Sequence, residues 1–74
     1  MKCTVKLIWD NESRRWYTDT DDLLCINLES DSFDALVERV RMAVPEMLEL
    51  NCGHKGPVQI VFEAIRIDNL DMVS

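Results

Sequence analysis

Apolar and polar positions alternate from Cys3 to Asp10. Cys3, Val5, Leu7 and Trp9 fall on one side, and Thr4, Lys6, Ile8 and Asp10 on the other. A period of two predicts a strand with one apolar face. Asp10-Asn11-Glu12-Ser13 interrupts it with side chains that bond their own backbone, which predicts a turn. Arg14 to Thr18 returns as a second strand, aromatic and β-branched. So short a connection implies an antiparallel hairpin. Beyond Asp19-Thr20-Asp21-Asp22, Leu23 to Leu28 predicts a third, shorter strand, with Ile26 and Leu28 on one face and Cys25 and Asn27 on the other.

From Ser30 to Asn51 the period changes. Wound at 100° per residue, Phe33, Leu36, Val37, Val40, Val44, Met47 and Leu48 form an apolar stripe about 120° wide. Asp34, Glu38, Arg39, Arg41, Glu46 and Glu49 take the opposite arc. Asp31 and Ser32 both suit the N-cap, and Asp34 puts negative charge where the helix dipole favours it. Pro45 sits on the polar arc. It either kinks one helix or opens a second from its first turn. The stripe continues through Met47 and Leu48, which favours one kinked helix. Asn51 or Gly53 supplies the left-handed residue that ends it. After the loop from Cys52 to Pro57, Val58 to Ile67 predicts the last and longest strand. It is apolar on both faces at Ile60 to Phe62, which places it inside the sheet or under cover on both sides. Asp68 to Ser74 reads as a frayed tail.

The element order predicts an α+β domain, β-β-β-α-β, over residues 1–74. It forms a four-stranded mixed sheet of order 3-2-1-4 with one helix packed on one face. The helical crossover makes the third and fourth strands run in the same direction. The other face has no element to cover it. Ile8, Tyr17 and part of the last strand are exposed there, which predicts a homo-oligomer.

Composition narrows the class. Apolar residues make up 47% and charged residues 30%, which marks a folded, soluble chain. No stretch approaches the ~20 apolar residues of a membrane span, and the start lacks a signal-peptide core. Three scattered cysteines, an odd number, point to free thiols and a cytoplasmic location. The net charge of −6 is uneven. Seven acids and no Lys or Arg lie between Trp16 and Glu38, while all eight bases lie outside that segment. Such a stretch repels phosphate backbones and argues against direct nucleic-acid binding. It favours a small basic protein, with Asp19, Asp21, Asp22, Glu29 and Asp31 as candidate contacts.

Chemistry finds no foothold. Asp19, Asp21 and Asp22 suit a hard cation but lack the Gly and terminal Glu of a calcium loop. Cys52 and His54 offer two soft ligands without the paired spacing of a zinc site. As a nucleophile and base they lack an orienting group. Asp10 stands where a sheet-based nuclease places its first carboxylate, but no further carboxylates fall on neighbouring positions with a pattern. With only Gly53 and Gly56, there is no phosphate-binding loop. No catalytic residue, cofactor or metal is assigned, and the chain is not expected to be an enzyme.

Asp22-Leu23 ahead of the third strand and Asp31-Ser32-Phe33-Asp34 opening the helix resemble the HicB-like antitoxin domain, a truncated RNase H-like fold. Asp22-Leu23 matches the start of that family's Asp-Leu-Pro-Gly-Cys segment, with Leu24-Cys25 in place of Pro-Gly. Short prokaryotic proteins of unknown function in the same superfamily are similar over nearly the full length, including Val44 to Asn51. The resemblance implies an oligomeric interaction domain whose partner is a small basic toxin-like protein. Many HicB proteins carry a C-terminal DNA-binding domain. This chain ends at Ser74 without one, so operator binding is not implied. Two alternatives stand beside the antitoxin-like reading. One is a homo-oligomeric domain with no enzymatic role. The other is a degenerate, metal-dependent RNase H-like nuclease using Asp10 and Asp22.

Overall fold

The structure is a computed structural model that describes residues 1–71. The tail expected over 68–74 is therefore covered only as far as Asp71, and 72–74 lie outside the described residues. Five elements follow in order: β1 (Lys2–Asp10), β2 (Arg15–Asp19), β3 (Glu29–Ser30), α1 (Phe33–Cys52) and β4 (Gln59–Ile65). The sheet order is β3-β2-β1-β4. β1 pairs antiparallel with β2 and parallel with β4, and β2 pairs antiparallel with β3. This is the four-stranded mixed sheet of an α+β fold that the hydrophobic pattern predicts.

The core forms where the two periods meet. On β1 every second residue, Cys3, Val5 and Leu7, is buried. On α1 every fourth residue, Leu36, Val40, Val44 and Leu48, is fully buried. Ile60 and Phe62 of β4 lie opposite Cys3 and Val5 in register and pack against the same cluster while staying half-buried. Trp16 and Phe33 close one end, their rings edge to face at 4.9 Å between centroids.

The helix ends follow from local chemistry. Ser32, extended at φ −104°, accepts the Ala35 N–H on its hydroxyl at 3.2 Å. Of the two candidate caps, Ser32 is the one used. The helix runs unbroken through Pro45, whose side is exposed. Gly53 takes the left-handed conformation, φ 66°, and donates its N–H to the Glu49 carbonyl. His54 donates to the Leu48 carbonyl, so two carbonyls left free by the helix end are satisfied.

Three expectations are corrected. The last strand is not the longest: β4 covers Gln59–Ile65, seven residues, against nine in β1. The third strand does not span Leu23 to Leu28. Residues 22–24 form a turn, and the ladder contains only Glu29 and Ser30. Cys25 adopts φ 50°, which breaks an extended run. Asp21 accepts the Leu24 N–H on its side chain and the Cys25 N–H on its backbone carbonyl. One backbone bond to β2 remains, from the Thr18 N–H to the Leu28 carbonyl at 3.0 Å, and threonine hydroxyls supply the others. Thr18 accepts the Leu28 N–H at 3.0 Å and donates to the Ile26 carbonyl at 2.8 Å, while Thr20 accepts the Ile26 N–H at 3.1 Å. The alternation itself survives, with Leu24 and Ile26 buried and Cys25 and Asn27 exposed. The last correction is to the position of β4, which is neither interior nor covered on both sides. It forms one edge of the sheet, with Ile60, Val61 and Phe62 all half-buried.

Thr18 is only 6% exposed, and its hydroxyl serves two backbone groups of the incoming segment. Thr18→Val keeps the shape, strips the Leu28 N–H of its acceptor and leaves the Ile26 carbonyl only the longer contact to the Thr20 hydroxyl, 3.5 Å. A loss of about 1–3 kcal/mol in urea unfolding is expected. An unchanged midpoint would mean that the segment is held without the Thr18 hydroxyl, by the remaining bonds and by burial of Leu24 and Ile26.

Candidate functional site

The acidic segment begins where β2 ends. Asp19 lies on the face of the sheet away from the helix, opposite Lys6 in register, and Lys6 in turn lies opposite Glu63 of β4. Asp19 and Asp21 line a shallow depression of about 270 Å³ with Thr4, Lys6 and Thr20. Asp22 is exposed in the turn that follows, and Asp31 is exposed at the bend before the helix. Asp21 is partly committed to structure through its bond to the Leu24 N–H, 3.1 Å. Among the described residues Asp22 has no such bond. The whole loop is tied to the helix end, where Asn51 Nδ2 donates to the Leu23 carbonyl at 2.6 Å.

Glu29 is placed differently. It lies opposite Tyr17, and its carboxylate meets Arg15 Nη1 at 3.1 Å. Arg39 Nη1 donates to its backbone carbonyl, also at 3.1 Å. It lines a second, larger depression of about 400 Å³ with Asp10, Ser13, Arg15, Tyr17 and Asn27. Of the five candidate contacts, the structure thus brings Asp19 and Asp21 together and sets Glu29 beside two arginines. Asp22 and Asp31 line neither depression. Among the described residues Asp19, Asp21, Asp22 and Asp31 have no salt bridge. Sequence reasoning missed Arg15 and Arg39. The signal was available for Arg15, which a short hairpin places near any strand added beside β2.

Asp10 also has structural work. Its carboxylate accepts the Glu12 N–H and the Ser13 hydroxyl, both at 3.0 Å, and so caps the hairpin turn. Asp10 pairs with Arg15 and Lys6 with Asp19. Asp19 therefore lies four residues along the sheet from Asp10, roughly 13 Å at strand spacing, and Asp22 lies beyond it. Two-metal chemistry needs carboxylates around ions only ~4 Å apart. Among the described residues no three His, Cys, Asp or Glu side chains converge as a metal site would require. The Cys52 thiol is turned to the Leu48 carbonyl and the His54 ring to the Pro57 carbonyl.

The surface around Trp9 has the opposite character. Arg66 lies over its ring at 4.4 Å and Arg14 at 5.3 Å. Arg14 turns the hairpin at φ 59°. These bases sit at the end of the sheet away from Asp19.

A small sheet-and-helix domain with an acidic loop at one end is the class these features define. The chain belongs to a family described as a domain of unknown function (DUF1902), whose model matches residues 2–71. It is also similar to a solved structure, the hypothetical protein TTHA1013 from the extremely thermophilic bacterium Thermus thermophilus. The two share 28% identity over 95% of this chain and 100% of that one, with a TM-score of 0.77. No curated protein matches the chain. Neither description names an activity, a ligand or a partner. Among the described residues no helix is long and apolar enough to cross a membrane.

The different duties of neighbouring acids are measurable. Asp21→Ala removes the bond that closes the turn and is expected to cost about 1 kcal/mol in urea unfolding. Asp22→Ala should change stability by less than about 0.5 kcal/mol. Equal losses would contradict the division drawn between them.

Proposed function

We propose that this chain is an antitoxin-like interaction module of the cytoplasm that binds a small basic protein through its acidic surface. The observation that carries this reading is the exposure of Asp19, Asp21, Asp22 and Asp31 without a salt-bridge partner among the described residues. Unpaired surface carboxylates keep their field available to a partner and speed its encounter. Glu29 is a weaker contact than its neighbours because Arg15 offsets its charge. The three free cysteines suit a reducing compartment. The HicB resemblance supplies the class of partner.

A second reading has its own support. The sheet face away from the helix exposes Tyr17 (40%) and Ile65 (37%) beside half-buried Ile8. Those three lie in one row across the register. Such a row suits a homo-oligomer that needs no other partner. The nuclease reading is weakened by the separation of Asp10 from Asp22. RNA incubated with Mg²⁺ or Mn²⁺ should stay intact with wild type and with the Asp10→Asn and Asp22→Asn variants alike.

Affinity capture by wild type and by a triple variant, Asp19→Asn with Asp22→Asn and Asp31→Asn, tests the antitoxin-like reading. Wild type should retain a short basic protein whose recovery falls steeply with added salt, and the variant should lose it. Recovery of the bait alone, or a partner held equally by the variant, would overturn it.

A further inference from the structure

β4 has the composition of an interior strand and the position of an edge strand. Gln59-Ile60-Val61-Phe62-Glu63-Ala64-Ile65 has apolar residues on both faces, yet among the described residues only β1 pairs with it. The Gln59 N–H donates to the Met1 carbonyl at 2.8 Å, which sets the phase of the ladder. Gln59, Val61, Glu63 and Ile65 direct their backbone groups to β1. By alternation, Ile60, Phe62 and Ala64 turn theirs outward. Among the described residues no strand pairs with that side.

Sheet edges are normally blunted by lysine, proline, a bulge or extreme shortness. β3, the opposite edge, is only two residues long. β4 has none of these devices. It spans seven residues, pairs with β1 without interruption and carries one charge, Glu63.

We propose that β4 pairs antiparallel with β4 of a second copy of this chain, joining two four-stranded sheets into one of eight strands about a two-fold axis. The proposal rests on the self-association reading and moves the contact from the open face to the edge. Charge selects this edge over the other two contacts, and self-complementary pairing about Phe62 selects this occupant. The acidic run from Asp19 to Asp31 lies on the β2–β3 side. At ~4.8 Å per strand, β3 stands roughly 17 Å from the axis, so the two acidic sides are about 34 Å apart. That exceeds three Debye lengths at ~10 Å each, and their repulsion is screened. Contact through β3 brings these runs together, and contact through the open face brings Asp19 and Glu63 of each copy near those of the other. Shape agrees with charge. With the axis at Phe62, Ile60 meets the partner's Ala64, and Glu63 meets the partner's Val61 rather than another carboxylate. Half-buried Ile60 and Phe62 gain a second apolar wall on the helix side.

Sedimentation equilibrium from low to high micromolar concentration tests this with three proteins. Ala64→Pro removes an outward N–H that the monomer does not use, a substitution that edge strands accommodate. Tyr17→Lys charges the open face and leaves the edge intact. Wild type and Tyr17→Lys are expected to reach twice the monomer mass. Ala64→Pro should remain a monomer throughout, with wild-type helical circular dichroism. If that variant loses its helical signal, Ala64→Lys takes its place with the same expectation. A folded Ala64 variant that still dimerises overturns the edge pairing. If Tyr17→Lys is then the monomer, self-association stands through the open face. Wild type that stays monomeric throughout removes both readings.

Discussion

The fold depends on one contact, the apolar stripe of α1 laid across the buried residues of β1. Leu36, Val40, Val44 and Leu48 recur at every fourth position, and Cys3, Val5 and Leu7 at every second. Each series is useless alone, since a helix or a strand cannot hide its own apolar face. A chain this short buries only about 60% of its unfolded surface, so little redundancy exists elsewhere. Val5 and Leu7 sit on the strand flanked on both sides, and β2 and β4 are added to it by backbone pairing. The remaining structure is attached to this pair of elements rather than independent of it.

Attachment takes a specific form on the acidic side. The segment from Thr20 to Leu28 is not a strand. It is carried by two threonine hydroxyls, by Asp21 as a turn former and by burial of Leu24 and Ile26. Its outward side chains are thereby left without structural duty, apart from Asp21. That is why an acidic loop is tolerated on so small a domain. Dense like charge costs little when water surrounds it, and no buried group depends on its neutralisation. The same fold brings Arg15 and Arg39 to Glu29, so charge counted along the sequence overstates the field at that one position.

Legibility in the sequence followed the length of the periodic run. β1 and α1 were readable because nine and twenty residues repeat one period without interruption. Sheet order followed from connection lengths, since only the helical crossover allows a parallel neighbour for β1. β3 was misplaced because Leu23 to Leu28 alternates like a strand, while most of its hydrogen bonds go to side chains of Thr18, Thr20, Asp21 and Asn51 that no periodicity reports. β4 was read as interior because both of its faces are apolar. Among the described residues no strand pairs with its outer side, and the proposed pairing with a second copy would reconcile its composition with its place. The acidic site was legible as a run of residues. Its division into Asp19 with Asp21 in one depression and Glu29 in another depends on strand register, which the sequence leaves open.

The dependence of the whole on the α1–β1 contact is tested most directly by native-state hydrogen exchange. If it holds, the amides of Val5 and Leu7 and those of Val40 and Val44 exchange together, only through global unfolding, while Cys25 and Asn27 exchange far sooner. Exchange of the α1 amides at a lower free energy than those of β1 would contradict it, because the sheet would then stand without the helix.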